Sequence, residues 1–118
     1  MKYETRCIKI KLNPDSIEKV REWAQGINHR KDEAIATLQD ESIVLEAVFL
    51  DRTGKGDFLI CLMKAASFEK AREAVQKSIH SINKYHQNFK REIWEDGKRL
   101  ELLIDLDRIS EIKQNYNQ

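Results

Sequence analysis

The fold is decided by residues 42–65, which read SIVLEAVFLDRTGKGDFLICLMKA. Both ends of this stretch are rich in β-branched and aromatic side chains, which favour extended backbone. Gly54 and Gly56 stand between the two apolar runs, where a tight turn needs residues without a side chain. The stretch therefore predicts a β-hairpin, with strands over residues 42–51 and 57–65.

The sequence before the hairpin predicts a strand followed by a helix. Residues 7–12 (CIKIKL) alternate strictly, which places Ile8, Ile10 and Leu12 on one face of a strand. Residues 17–38 then carry apolar side chains at steps of three and four, which is the spacing of one helical face. Gly26 lies inside this pattern, and we expect a break in the helix between residues 26 and 32.

After the hairpin, the pattern repeats. Ser67 is a good N-cap for a helix over residues 68–79, and Ser81 is a good N-cap for a further helical segment. Residues 99–107 (RLELLIDLD) predict a last strand. The order βαββαβ is the ferredoxin-like arrangement, an α+β fold. It predicts a four-stranded antiparallel sheet of order 4-1-3-2 with the helices on one face, in a single domain over residues 1–110, followed by a polar tail over 111–118.

The face of the sheet opposite the helices predicts self-association. Both hairpin strands are apolar on both sides, interrupted mainly by Glu46. A face exposed to water should be mostly polar, so this face needs a cover that a single chain of this size does not supply. We expect a homodimer that packs sheet against sheet. Lys9 and Lys11 should lie on the same face and pair with Glu101 and Asp105.

The chain resembles a family of small uncharacterised prokaryotic proteins, a domain of unknown function, over its whole length except the polar tail. The resemblance rests on residues 7–12, 30–33 with Leu38, 46–52, 67–71, and 85–86 with Phe89. It implies a dimeric α/β-barrel, in which two ferredoxin-like units join their sheets, and it brings no assigned reaction. Dimeric α/β-barrels include small monooxygenases, haem-degrading enzymes, isomerases and stress-response proteins, so the fold alone does not select the chemistry.

Composition narrows the function classes. The 118 residues are 41% hydrophobic and 35% charged, with a net charge of +1, which is less basic than a general nucleic-acid binder needs. RNA-recognition domains share this topology, but Asp57 and Leu59 stand where their stacking aromatics would be. We expect no nucleic-acid partner. No segment is a signal peptide or has the length of a membrane span, so we expect a cytoplasmic protein without a membrane partner.

The candidate catalytic residues are His86 and Tyr85. A histidine exchanges protons near neutral pH, and a tyrosine hydroxyl can orient a substrate oxygen. Residues 74–91 contain no acidic side chain, which favours an anionic ligand. His80, Trp23, Lys9 and Glu46 are the candidate ligand-binding residues. The alternatives are structural: satisfied histidines, Trp23 in the core or an interface, and Lys9 and Glu46 in ion pairs.

We expect no metal and no cofactor. His80 and His86 are six residues apart, which is neither a helical metal pair nor a zinc-finger spacing. The first hypothesis is a homodimer that binds a small organic ligand, including an anionic one, in a pocket between sheet and helices. The chemistry expected there is cofactor-independent and either monooxygenase-like or a proton transfer. The second is a non-catalytic dimeric binding or regulatory protein.

Overall fold

A computed structural model describes residues 2–77, 81–82, 84–85, 87, 94–109 and 111, of which 94–96 are described by their backbone alone. The elements are β1 (Glu4–Leu12), α1 (Ile17–His29), α2 (Lys31–Asp40), β2 (Ile43–Thr53), β3 (Gly56–Ala65), α3 (Phe68–Lys77) and β4 (Trp94–Arg99). The described residues between 81 and 87 are also helical. The helix break expected between residues 26 and 32 falls at Arg30, and Ser67 begins α3 as predicted, with its hydroxyl accepting the Lys70 N–H at 3.3 Å.

The four strands form one antiparallel sheet of order β2-β3-β1-β4, which is the predicted order read from the opposite edge. The hairpin is confirmed, with Thr53 paired to Gly56 at the turn. At this turn Gly56 adopts a φ of 130°, a conformation that side-chain-bearing residues rarely reach. The fold is the predicted ferredoxin-like one.

The core lies between the sheet and the helices. Ile10 of β1 and Leu59 of β3 are paired in the register and are each only 1% exposed. They pack with Val20 and Trp23 of α1 in one cluster. The side chains on this face of the sheet come from the even positions of β1, as the alternation predicted. We call the opposite face of the sheet the far face.

The last strand differs from the prediction. β4 ends at Arg99, and residues 100–107, which were expected to form that strand, carry no strand assignment. Asp96 and Gly97 lie within β4 and pair with Lys11 and Ile10 of β1. We call residues 100–107 the arm. The alternating pattern of the arm is typical of extended backbone. Among the described residues, however, no strand pairs with the arm.

No described helix has both the length and the apolar character that crossing a bilayer requires.

Candidate functional site

The arm is joined to the sheet by few contacts and displays apolar side chains outward. The Leu100 N–H donates to the Cys7 carbonyl at 2.8 Å, which is the only backbone hydrogen bond between arm and sheet among the described residues. Beyond it, Leu103 is 82% exposed and Leu106 is 89% exposed. Apolar side chains this open to water, one after another, are typical of a surface that another molecule covers.

A groove of about 360 Å³ lies between the arm and the far face. The sheet forms one wall with Thr5, Cys7 and Leu62. The arm forms the other wall with Leu100, Glu101, Leu102, Leu103 and Ile104. Five of these eight lining residues are leucine or isoleucine, and the three others present a hydroxyl, a thiol and a carboxylate. The groove is open to solvent along the arm, where Leu103 is 82% exposed, so its walls would contact one side of a small, mainly apolar molecule rather than enclose it.

A charged cluster holds the arm at the end of this groove. The Lys64 ammonium lies 2.7 Å from one carboxylate oxygen of Asp105 and also contacts the carboxylate of Asp107. The second oxygen of Asp105 accepts a hydrogen bond from the Thr5 hydroxyl at 2.8 Å. Lys64 is nearly buried, with its side chain 6% exposed, and a cation in such a place needs anionic partners.

The cluster shifts the proton affinities of its members toward the charged forms. Hydrogen bonds to Asp105 and then Asp107 raise the pKa of the Lys64 ammonium above its ordinary value. The hydrogen bond from Lys64, supported by that from Thr5, lowers the pKa of Asp105. The pKa of Asp107 is lowered by Lys64 and then by the backbone N–H of Ile109. All three groups are therefore charged at neutral pH.

The far face beyond the groove carries apolar and charged side chains side by side. Phe49 is 58% exposed and Leu45 is 40% exposed. Lys9 lies on this face as predicted, 3.5 Å from the Asp51 carboxylate, and its ammonium stands 4.4 Å from the centre of the Phe58 ring. Asp105 was expected to pair with Lys9 or Lys11, but its carboxylate contacts Lys64 instead. The reason is the path of the arm, which crosses toward β3 rather than continuing beside β1.

Trp23 and Tyr85 lie on the opposite side of the sheet, against the helices. Trp23 is 7% exposed within the core cluster, and Tyr85 packs against that cluster. A Cβ atom added at Gly26 would lie 2.5 Å from the Tyr85 hydroxyl oxygen, so the tyrosine fills the space that glycine leaves open. The sheet separates both aromatic residues from the groove, and the structure does not bring them together with Lys9.

The other predicted site residues contribute less to the described geometry. Glu46 is exposed on β2, paired in the register with Met63. His80 and His86 lie outside the described residues, and their roles stay predictions. Sequence reasoning missed Lys64 as a site residue. The signal was present, because Lys64 is the only charged residue between Asp57 and Ala65 in an otherwise apolar strand. Among the described residues, no group of three or more metal-ligating side chains comes together.

Comparison with solved structures places the fold among known ones. An L-rhamnose mutarotase from Formosa agariphila superposes with a TM-score of 0.61 at 17% identity, covering 88% of this chain and 99% of that one. A NIPSNAP-like domain protein from Burkholderia xenovorans has a TM-score of 0.54 at 17% identity, covering 87% and 85%. A conserved protein of unknown function from Bacteroides thetaiotaomicron, described as a possible oxidoreductase, has a TM-score of 0.52 at 20% identity, covering 85% and 97%. Identities this low establish the fold alone.

Comparison by sequence gives a family without a function. No curated protein matches this chain. A family of unknown function, DUF6176, matches residues 3–111, which include every described strand and helix and the whole arm. The chain therefore belongs to the family of unknown function DUF6176, and its fold is the ferredoxin-like one that the sequence predicted.

Proposed function

We propose that this chain acts as a homodimer, joined through the far face and the arm, that binds a small and mostly apolar organic molecule in the groove beneath the arm. The observation that carries the proposal is the groove itself. It lies between the sheet and the arm, and leucine and isoleucine side chains, most of them on the arm, form five of its eight lining residues.

The lining favours an apolar body over a sugar. The mutarotase of the same fold acts on L-rhamnose by its name, and a sugar ring needs hydrogen-bonding partners around most of its edge. Among the described lining residues, Thr5, Cys7 and Glu101 offer the polar groups. An aromatic or aliphatic compound with one or two polar substituents fits such walls better.

The exposed apolar surface supports a second copy of the chain as the cover. Phe49 on the far face and Leu103, Ile104 and Leu106 on the arm are each more than half exposed. The groove is bounded by this same surface, so a second copy seated there would also shield a bound molecule from water. Net charge near zero leaves little repulsion between copies.

Catalysis is a separate proposal. Proton transfer by Tyr85 and His86 would need a substrate on the helix side of the sheet, because Tyr85 packs into the core there. A molecule in the groove is on the other side and is out of reach of Tyr85. Binding without turnover therefore fits the groove better than monooxygenase-like chemistry at Tyr85.

The groove is tested with phenylacetamide, a neutral aryl compound, by ligand-observed NMR on the full chain. Leu62→Trp would fill the groove, whereas Ile60→Trp changes the same strand and the same face outside the lining. We expect binding by the natural protein and by the Ile60 variant, and loss of binding in the Leu62 variant. Binding that persists in the Leu62 variant, or is absent from the natural protein, would contradict the groove as the site.

A further inference from the structure

The sheet builds a receptor for a carboxylate at the end of the groove. Lys64 on β3 and Thr5 on β1 are paired in the register, so the sheet holds the two side chains beside each other. Each of them bonds a different oxygen of the Asp105 carboxylate, at 2.7 Å from the ammonium and 2.8 Å from the hydroxyl. Thr5 is also a lining residue of the groove, so this receptor and the groove are continuous.

Asp105 reaches this receptor from a segment that little else attaches. The arm has one backbone hydrogen bond to the sheet among the described residues, at Leu100. Its neighbours on either side of Asp105 point into solvent, with Ile104 77% exposed and Leu106 89% exposed. Among the described residues, the polar contacts of the arm beyond Leu100 with the sheet are those of Asp105 and Asp107 with Lys64 and of Asp105 with Thr5.

Release of the arm would leave the Lys64 ammonium open to another anion. If the arm lifted alone, Lys64 would exchange its charge-assisted hydrogen bonds to the two carboxylates for hydrogen bonds to water. A carboxylate brought by another molecule would restore the pairing. While the arm is attached, Lys64 contacts the carboxylates of both Asp105 and Asp107. A single carboxylate from a ligand would form a neutral ion pair with Lys64.

We propose that the Lys64–Thr5 pair recognises the carboxylate of the groove's natural ligand, and that Asp105 occupies this position as an internal substitute which the ligand displaces. The inference rests on the proposed function and narrows it to a class, a small monocarboxylic acid with an apolar body. The body lies against Cys7 and Leu62, and the carboxylate accepts from the Lys64 ammonium and the Thr5 hydroxyl. Displacement exchanges hydrogen bonds and involves no covalent step.

The test compares phenylacetate with neutral phenylacetamide on the full chain, by calorimetry and by hydrogen exchange of the arm amides. Charge-assisted hydrogen bonds are stronger than neutral ones. We therefore expect phenylacetate to bind at least about tenfold more tightly than phenylacetamide. Phenylacetate should accelerate exchange in residues 101–107, and phenylacetamide should not. Asp105→Asn weakens the internal competitor, so it should strengthen phenylacetate binding several-fold and increase the preference for phenylacetate over phenylacetamide.

Two variants remove the receptor in different ways. Lys64→Met and Thr5→Val should each reduce the preference for phenylacetate over phenylacetamide, the first abolishing it. Thr5→Val keeps the buried charge pair intact and decides the matter if the Lys64 variant fails to fold. Both substitutions are expected to change the ratio of the phenylacetate affinity to the phenylacetamide affinity. A general loss of structure would lower both affinities together.

The outcomes separate this inference from the proposed function. Equal affinity for the two compounds overturns the carboxylate receptor and leaves the groove in place. Failure of both compounds to bind overturns both proposals. Tight phenylacetate binding without faster exchange in the arm overturns the displacement. A further outcome is protection of the arm from hydrogen exchange that rises with protein concentration and does not respond to phenylacetate. That result would assign the receptor to the Asp105 of a second copy, and it would overturn the proposal that a free carboxylic acid binds there.

Discussion

Replacing Gly26 by alanine is a direct test of how Tyr85 packs. Gly26 lies inside α1, where alanine would ordinarily be the better residue. An added Cβ would stand 2.5 Å from the Tyr85 hydroxyl oxygen, 3.0 Å from its Cζ and 3.2 Å from its Cε1. The first distance is shorter than real Cβ contacts and the other two are tighter than most of them, so either the ring or the helix has to move.

Two opposing effects set the magnitude. Helix propensity alone would stabilise the Gly26→Ala variant by about 1 kcal/mol. Forcing an extra carbon into a packed site costs roughly 1–3 kcal/mol. The ring packs against the core cluster and has little room to turn away, so the cost should exceed the gain. We expect a net loss of about 1 kcal/mol in the free energy of unfolding.

The assay is urea unfolding of four proteins: the natural chain, Gly26→Ala, Tyr85→Ala and the double variant. In the Tyr85→Ala background the obstruction is gone, so Gly26→Ala should become stabilising by about 1 kcal/mol. Gln25→Gly, at the exposed neighbouring position of the same helix, measures the propensity term without any contact to Tyr85. The packing argument is refuted if Gly26→Ala stabilises both backgrounds equally.

Two further predictions concern the arm. Leu103→Asp with Leu106→Asp should convert dimer to monomer in size-exclusion chromatography with light scattering, because both exposed side chains would no longer favour association. The melting temperature of the variant should then be independent of protein concentration. A retained dimer would contradict this. Attachment of the arm should be independent of pH between about 5 and 9, since the lowered pKa values of Asp105 and Asp107 keep their contribution complete above about 4 and lose it as the pH falls through those values. The raised pKa of Lys64 keeps its contribution complete below 10.5 and loses it only as the pH rises through that raised value. Hydrogen exchange of the arm, corrected for the intrinsic rate, measures both limits, and a transition near neutral pH would contradict the assignment.

The fold was predictable because each element carries its own local signal. Alternation placed Ile8, Ile10 and Leu12 on the helix side of β1, and the glycine-containing turn fixed the hairpin. Steps of three and four located α1 and α2, and their junction falls at Arg30, within the expected break. These patterns depend on neighbours within one or two turns of the chain, which a sequence shows directly.

The last strand and the charged cluster depend on distant partners. The alternation in residues 99–107 reports a chain with two different faces, and it does not say which strand the chain will meet. The register instead pairs Gly97 with Ile10, and the arm leaves the sheet after this segment. Asp105 could have paired with any lysine of the far face, and only the path of the arm selects Lys64.

Native mass spectrometry of the freshly purified full chain, beside the Leu103→Asp, Leu106→Asp variant, measures the number of copies and any retained small molecule together. We expect a dimer for the natural chain, carrying a small organic acid or taking up phenylacetate, and a monomer for the variant. A natural chain that is monomeric, and that takes up neither phenylacetate nor phenylacetamide, would contradict both the dimer and the groove.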